Sequence, residues 1–202
     1  MSSLMQQILG RHWHQLPAAL QAHYVAGHSV EHGHLDIHYP LAMQPLLQLL
    51  HLMGALIHRR GRQLPTEVRK DDQQGRQRWQ RRIVFPDGRV LRFDSRWEAG
   101  KPGQLIEYIN PVLGLAMTPY VVGQQLHYRG ESFIVRLGPL RLPLPEWLLG
   151  HTSIVEEALD DNRFAMDFRL THPLLGEVYR YSGIFDTHAA NAEASPTTMP
   201  QP

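Results

Sequence analysis

Four side chains of types that bind metal ions lie at alternate positions in VEHGHLDIHY, residues 30–39: His32, His34, Asp36 and His38. A β-strand rises ~3.3 Å per residue, so neighbours on one face stand ~6.6 Å apart and the four span ~20 Å. Zinc lies ~2.0–2.1 Å from a ligating nitrogen, so one ion cannot contact all four. At most one adjacent pair, His32 with His34 or His34 with Asp36, could hold a metal together with a ligand from another strand.

Two zinc motifs overlap this stretch, and neither has the local structure that it requires. His-x-His-x-Asp-His is broken because Ile37 separates Asp36 from His38. His-x-x-Glu-His, residues 28–32, functions on a helix that brings its two histidines one turn apart, whereas glycines bracket it here and the flanking pattern is that of a strand. We therefore predict the solvated face of a half-buried strand and no metal site.

Arginines are concentrated in and beside two candidate strands, residues 78–85 and 89–97, which also contain two tryptophans. These arginines are Arg76, Arg78, Arg81, Arg82, Arg89, Arg92 and Arg96. Arginine interleaved with aromatic rings can bind single-stranded nucleic acid, but strand alternation places these side chains on both faces of the sheet. Cross-strand ion pairs on an exposed face are the favoured interpretation. Contact with an anionic headgroup or carboxylate is the alternative, and nucleic acid is not expected as a partner.

Carboxylates within apolar strands are the remaining candidates for acid–base chemistry. Glu107 lies between Ile106 and Tyr108, and Glu156-Glu157 adjoin the centre of another candidate strand. Burial raises the pKa of such a group unless a cation pairs with it, and a structural arginine partner is the favoured interpretation. The sequence has no Gly-x-Ser-x-Gly, Walker A or Gly-x-Gly-x-x-Gly motif, so nothing indicates a nucleotide site. We predict no catalytic residue and no cofactor.

Two segments are unusually apolar. Residues 45–60, PLLQLLHLMGALIHRR, are predicted to form a helix that begins at Pro45 and has one narrow polar stripe. Residues 137–150, LGPLRLPLPEWLLG, contain prolines that block a helix or a central strand, which predicts a loop or a sheet edge. The leucines of this second segment, with Trp147, either cover the core or form an exposed patch for a ligand, a partner or a membrane.

The composition is that of one ordinary globular domain. The chain has 202 residues, of which 43% are hydrophobic and 19% charged, and its net charge is +1, so no overall field selects nucleic acid or an acidic surface. It contains 13 histidines and no cysteine, which excludes disulfides and zinc–thiolate sites. There is neither a signal-peptide pattern nor a run of ~18 apolar residues. We expect a cytoplasmic protein, with membrane association as an alternative.

The elements that must position these residues are predicted from hydrophobic periodicity. Short helices are expected at residues 4–9 and from Pro17 to Gly27, followed by a half-buried strand at residues 29–39. After Pro65 the pattern is that of antiparallel strands, and Pro86-Asp87-Gly88 predicts a hairpin. The further strand candidates are residues 104–109, 113–118, 124–129, 131–137, 152–159, 163–171 and 177–185.

These elements predict an α+β fold. We expect a strongly curved antiparallel sheet or partly closed β-barrel of about nine or ten strands, wrapped around the apolar helix at residues 45–60, with the N-terminal helices at one end. The domain is expected to span residues 1–186. The tail, residues 187–202, is small, polar and proline-containing, which predicts disorder.

Four stretches carry a resemblance to a known family. They are LPAAL near the start, GQLIE at residues 103–107, LGPLRLPLPEWLLG at 137–150, and EEALDDNRFAMDFRLTHPLLGEVYRYSG at 156–183. From about Leu16 to Asp186 the chain resembles the bacterial domain-of-unknown-function 4166 family. The resemblance implies one whole domain, without an established activity or catalytic residues. In related proteins the domain can follow an oxidoreductase-like domain of the saccharopine dehydrogenase type. Asn162 departs from the glycine usual in the family, but asparagine tolerates the left-handed conformation of that turn.

Three functions are compatible with these features. The first is non-catalytic binding of a hydrophobic small molecule or lipid in a cavity of the curved sheet. The second is an enzyme or accessory domain acting beside an oxidoreductase, with Glu107 or a histidine as acid–base group. The third is an interaction module that docks a protein partner or a membrane surface through residues 137–150. For the first, the candidate ligand-binding residues are Arg96, Glu107, Arg129, Leu140, Trp147, Tyr179 and Tyr181.

Overall fold

The computed structural model describes residues 2–52, 57–73, 76–144 and 149–187. Within these residues it has three α-helices: α1 (Leu4–Leu9), α2 (Ala18–His23) and α3 (Gln44–Leu52). Short 3-10 helices occupy Gly10–Gln15 and Leu41–Met43. The strands are β1 (Gly27–His38), β2 (Gly61–Gln73), β3 (Arg76–Val84), β4 (Val90–Ala99), β5 (Leu105–Tyr108), β6 (Leu113–Val122), β7 (Gln125–Leu137), β8 (Leu140–Leu144), β9 (His151–Ala158), β10 (Arg163–His172) and β11 (Gly176–Asp186).

Ten of these strands form a closed antiparallel barrel. The neighbours around the ring are β6, β5, β4, β3, β2, β1, β11, β10, β9 and β7, and pairing of β6 with β7 closes it. The eleventh strand, β8, lies outside the ring and pairs with the last residues of β7. The predicted curved antiparallel sheet is therefore confirmed, and its closure is complete.

Strand β1 shows how two-residue alternation builds the wall. Leu35 and Ile37 are buried, whereas His32, His34 and His38 are exposed, as the sequence pattern predicts. Alternation assigns Gly33 to the inner face, where a Cβ atom would lie 2.2 Å from the carbonyl oxygen of Ile184, so only glycine fits. The histidine run is thus the outer face of a strand whose inner face packs tightly.

The barrel interior is filled by side chains of the strands. The large buried residues include Trp79, Trp97, Tyr128, Phe164 and Tyr179. The predicted helix over residues 45–60 is wrong at its C-terminal end, because residues 57–60 are not helical and β2 begins at Gly61. An apolar helix inside the barrel is not shown: in the described residues, aromatic and aliphatic side chains occupy that space.

The N-terminal helices pack against the barrel as expected, and polar contacts fix their position. Ser3 caps α1 in a capping box with Gln6, which satisfies two otherwise unpaired backbone donors. At the end of α2, the Lys70 ammonium donates to the carbonyl oxygens of His23 and Val25. Burial lowers the pKa of Lys70 to about 8. This cation at a helix C-terminus also complements the helix dipole.

Several other elements differ from the sequence predictions. Strand β2, which contains Pro65, was not delimited as a strand candidate, although the chain after Pro65 was expected to be β. The candidates at residues 124–129 and 131–137 form one long strand, β7, whose pairing with β6 shifts register between Ala116 and Met117. Residues 137–150 form a sheet edge in part, because Leu140–Leu144 is the edge strand β8. The predicted disordered tail lies outside the described residues from residue 188 onward. No helix in the described part of the chain is long and apolar enough to cross a membrane.

Candidate ligand-binding site

A small cavity whose mostly apolar lining includes several polar groups lies inside the barrel. Its volume is about 40 Å³, and its lining includes Trp79, Trp97, Glu107, Tyr128 and Glu156. A single water needs roughly 10–15 Å³ of such volume, so this space fits a few waters and no long apolar chain. Titratable groups therefore converge in a place that is mostly closed by their own side chains.

A chain of hydrogen bonds runs through this centre. The hydroxyl of Tyr128 donates to the hydroxyl of Tyr24 at 2.5 Å, and Tyr24 donates to both carboxylate oxygens of Glu156 at 2.7–2.8 Å. Burial raises the pKa of Glu156 to about 6, although the nearby His23 and the Tyr24 hydrogen bond act in the opposite direction. Burial also raises the pKa of both tyrosines well above the usual range. Glu156 is thus a carboxyl group that is partly protonated near neutral pH.

Glu107 has the arginine partner that was predicted for it. Arg81 lies 3.7 Å from the Glu107 carboxylate and donates a hydrogen bond to Ser95 Oγ at 3.0 Å. The same guanidinium lies over the rings of Trp79 and Phe93, at 5.7 and 5.4 Å from their centroids. Because the ion pair is almost fully buried, loss of either partner would leave an uncompensated charge.

Two buried indole groups lack acceptors. The ring N–H groups of Trp79 and Trp97 have no hydrogen-bond partner among the described residues, and both tryptophans line the cavity. A buried donor without an acceptor is costly, and an oxygen atom of water or a small ligand can satisfy it. The cavity therefore combines donors, a partly protonated acid and an ion pair.

A second concavity, the arginine groove, lies on the barrel surface beside β4. It has a volume of about 1070 Å³. Strand β5 pairs only with Arg96–Ala99 of β4, so the preceding residues of β4 border the groove on that side. The charged residues of its lining are Arg78, Arg92, Arg96, Arg136 and Asp94. Four arginines against one aspartate give a local positive charge that the whole chain, at +1, does not have.

Tyr108 is the centre of the charged part of the groove. Its ring centroid lies 5.5, 5.6 and 6.0 Å from the guanidinium carbons of Arg96, Arg136 and Arg141. Glu98 is the nearby acid: its carboxylate lies 3.0 Å from Arg96 and 3.9 Å from Arg141. Arg96 Nε has this ion-pair partner without a well-aligned hydrogen bond, and the buried Tyr108 hydroxyl has no hydrogen-bond partner among the described residues. Arg96 is therefore already paired with Glu98, and an anion in the groove would share its charge.

Phe93 links the groove with the cavity. Its half-buried side chain lines both concavities. The lining of the groove also contains the apolar residues Leu91, Ile109 and Pro111. The arrangement thus places an apolar surface, a cluster of guanidinium groups and a ring that leads to the barrel interior next to one another.

The histidine run lies in a different groove on the outer surface. That groove has a volume of about 1020 Å³, and its lining contains His32, His34 and Asp36 together with other acids and arginines. Asp36 accepts a hydrogen bond from the Gln63 backbone N–H at 2.6 Å. Within the described residues, no three His, Asp or Glu side chains are grouped so that they could hold a metal ion. Charged groups in the groove that contains the histidine run pair with one another instead, as Asp167 and Arg180 do at 2.8 Å.

The seven residues predicted from sequence are spread over several environments. Arg96 lines the arginine groove, and Glu107 and Tyr181 line the cavity. Tyr179 is buried in the core against Tyr39 and Phe168. Arg129 and Leu140 are exposed and line neither concavity. Trp147 lies outside the described residues.

Four residues of the site were missed in the sequence. Tyr24 lies at the end of α2, where no periodic signal marks it, and Tyr128 reads as an ordinary inward position of β7. Phe93 and Arg136 lie in the strand candidates at residues 89–97 and 131–137, and neither has a sequence neighbour that indicates a binding site. Only the pairing of distant strands brings them together, because β4, β5, β7 and β9 contribute to one region.

These observations define the class of the protein, which is a closed antiparallel β-barrel with a buried polar centre and an arginine-lined surface groove. A family model described as "Domain of unknown function (DUF4166)" matches residues 16–185, which extend from just before α2 into β11, and the chain belongs to this family. No curated protein matches the chain. The family description assigns no activity, so function must be argued from the site.

Proposed function

We propose that this barrel is a non-catalytic binding protein for a hydrophobic small molecule that carries an anionic group, such as a long-chain carboxylic acid. The observation that carries this proposal is the arginine groove, in which guanidinium groups and an apolar floor at Phe93 adjoin each other. Guanidinium binds carboxylate through two parallel charge-assisted hydrogen bonds. The groove is also of the size that small-molecule sites usually have.

The ligand is placed in the groove and not in the closed interior. The cavity of about 40 Å³ is too small for an acyl chain. Leu91, Phe93 and Ile109 supply apolar contacts for the chain, while Arg92 and Arg96 supply the cations for its acid group. Burial of ligand against these side chains gives the affinity, and the arginines set its orientation.

The Arg92→Ala variant tests this proposal. Among the described residues Arg92 has no acidic partner, so its removal leaves no carboxylate unpaired. We expect the Kd for a fluorescent long-chain fatty acid to rise about tenfold, because one charge-assisted hydrogen bond is lost from a partly solvated site. Fluorescence titration at fixed salt measures this change.

Arg129→Ala is the matched control for this titration. Arg129 is an exposed arginine of β7 that lines neither concavity, so its removal changes the net charge equally without touching the groove. Its Kd should stay within twofold of the wild-type value. Equal affinities for the Arg92 and Arg129 variants, or a wild-type protein that does not bind fatty acids, would contradict the proposal.

A second candidate function is suggested by the buried chain from Tyr128 through Tyr24 to Glu156. A carboxyl group with a pKa of about 6 is suited to proton transfer near neutral pH. This favours an enzyme or accessory domain acting beside an oxidoreductase, in which Glu156 is the acid–base group. Such a reaction requires substrate to displace Phe93 and enter the cavity. The Glu156→Gln variant separates the two functions. If the protein only binds ligand in the groove, the variant keeps the fatty-acid affinity of wild type, whereas an enzyme that uses Glu156 loses its activity.

A further inference from the structure

The hairpin formed by β7 and β8 has one apolar face that extends beyond the barrel ring. Phe133, Val135 and Leu137 of β7 pair with Leu144, Leu142 and Leu140 of β8. The exposed fractions rise towards the tip, where Leu137 and Leu140 are 55% and 53% exposed and Leu142 is 42% exposed. Three large apolar side chains at one hairpin tip form a continuous patch, which in a soluble domain usually marks an interaction surface.

The opposite face of the same hairpin is cationic. Arg136 and Arg141 lie directly across from each other in the β7–β8 register, and both guanidinium groups lie over the ring of Tyr108. Like charges in directly opposed positions repel each other. Glu98 offsets part of that repulsion, since its carboxylate lies 3.9 Å from Arg141, and Arg92 in the adjoining groove extends the positive surface.

We propose that the tip of the β7–β8 hairpin docks on a membrane surface that contains anionic phospholipids. Leu137, Leu140 and Leu142 enter the boundary between headgroups and acyl chains, and Arg136 and Arg141 contact lipid phosphates. At the hairpin tip the apolar side chains of one face and the arginines of the other combine the two attractions that hold peripheral proteins at such surfaces. The contact needs no ligand in the arginine groove, so it stands apart from the proposed function. It also places that groove next to a source of amphiphiles.

A protein strand is the other occupant that an exposed sheet edge can take, and β8 is poorly built for it. Pro143 is the fourth residue of this five-residue strand, and proline has no N–H group for a ladder hydrogen bond. Addition of a partner strand along this edge is therefore interrupted, whereas insertion of leucine side chains into lipid needs no backbone pairing. The cationic neighbours likewise favour an anionic surface.

Sedimentation with vesicles tests the membrane contact. We expect wild-type protein to bind vesicles of phosphatidylcholine and phosphatidylglycerol at least tenfold more tightly than vesicles of phosphatidylcholine alone. Leu140→Asp should weaken binding to the anionic vesicles by tenfold or more, and Arg141→Ala by about fivefold, the usual effect of one basic residue near such a surface. High salt should weaken the binding of wild-type protein to the anionic vesicles, because it screens the attraction between arginine and phosphate.

Leu159→Asp is the matched control, because Leu159 is 47% exposed in the turn between β9 and β10. The pairing of Gln125 with Glu157 places that turn beside the first residues of β7, at the opposite end of the barrel from the hairpin tip. Leu159→Asp should bind anionic vesicles as wild type does. The proposal is overturned if wild type ignores anionic vesicles, if both vesicle types bind equally, or if Leu140→Asp binds like Leu159→Asp. A Leu140→Asp variant that keeps the fatty-acid affinity of wild type is folded. Its loss of vesicle binding is then separate from the result of the groove titration.

Discussion

Replacing Glu156 with glutamine should stabilise the protein by about 2 kcal/mol at pH 8 and by nearly nothing at pH 4. In the folded protein, burial raises the pKa of Glu156 to about 6 from an ordinary value of 4.5. The folded state therefore binds more protons than the unfolded state between these pH values. Its free energy of unfolding falls as pH rises through this window, by about 1.4 kcal/mol for each unit of pKa difference.

Glutamine removes the charge and retains an acceptor for the Tyr24 hydroxyl. Below about pH 4.5 Glu156 is mostly neutral in both the folded and the unfolded protein. The wild type and the glutamine variant should therefore have similar stability there. Urea unfolding at pH 4, 6 and 8 measures the difference. Glu157→Gln is the control, since Glu157 is the exposed neighbour on the same strand and should change stability little. A Glu156→Gln variant that is less stable than wild type at pH 8 would show that the carboxylate is held in its charged form.

An acid that destabilises the fold near neutral pH calls for a reason to keep it. Its oxygens accept the hydrogen bond from Tyr24, but a glutamine oxygen can accept the same bond. Residues that lower stability are concentrated at functional sites, where activity and stability compete. A role of Glu156 in proton transfer would explain its presence, and Glu156→Gln would then abolish activity while its fatty-acid affinity stays unchanged, because Glu156 lines the cavity and not the groove.

Much of the wall of the barrel could be predicted because strand alternation is a local property. Leu35 and Ile37 alternate with polar side chains, and Pro86-Asp87-Gly88 marks the hairpin between β3 and β4. Strand β2 was harder, because Glu67, Lys70 and other charged residues obscure its alternation. Lys70 in fact points inward and is buried, since its ammonium donates hydrogen bonds to the carbonyl oxygens at the end of α2.

Closure of the barrel could not be predicted from local pattern. It depends on β7 pairing with β6 along its length and with β9 over residues 125–129. Those contacts are set by register and by the irregularity near Met117, which no short window of sequence contains. The predicted helix over residues 45–60 was apolar enough to suggest a buried element, but the interior is already filled by Trp79, Trp97 and their neighbours.

The candidate site shows the same division between local and distant information. Arg92, Arg96 and Glu107 were recognisable as charged residues in predicted strands, and the arginine partner of Glu107 was expected. The hydrogen bond from Tyr24 to Glu156 was not expected, because the two residues are separated by 132 residues in the chain. The apolar stretch at residues 137–150 was recognisable as a sheet edge or patch. Its division into an apolar face and an arginine face required the register of β7 with β8.

Replacing Trp79 with alanine should have the largest effect on stability, a loss of about 3–5 kcal/mol. Trp79 is 1% exposed and contacts the rings of His23 and Trp97 at centroid distances of 5.1 Å each. Its removal deletes a large apolar surface at the centre of the barrel and leaves a cavity that rigid strands cannot collapse to fill. Urea unfolding measures the loss.

Two comparisons show whether this loss comes from packing. Trp79→Phe keeps a ring and gives up an indole N–H that has no partner among the described residues, so it should cost about 1–2 kcal/mol. Tyr120→Ala removes an aromatic ring that is 43% exposed and should cost less than about 1 kcal/mol.

Added indole should restore part of the stability of Trp79→Ala by binding the new cavity, since a ligand that binds only the folded state stabilises it. A loss below about 1 kcal/mol in Trp79→Ala would mean that the interior is loosely packed, and it would then have room for a ligand that the cavity of about 40 Å³ lacks.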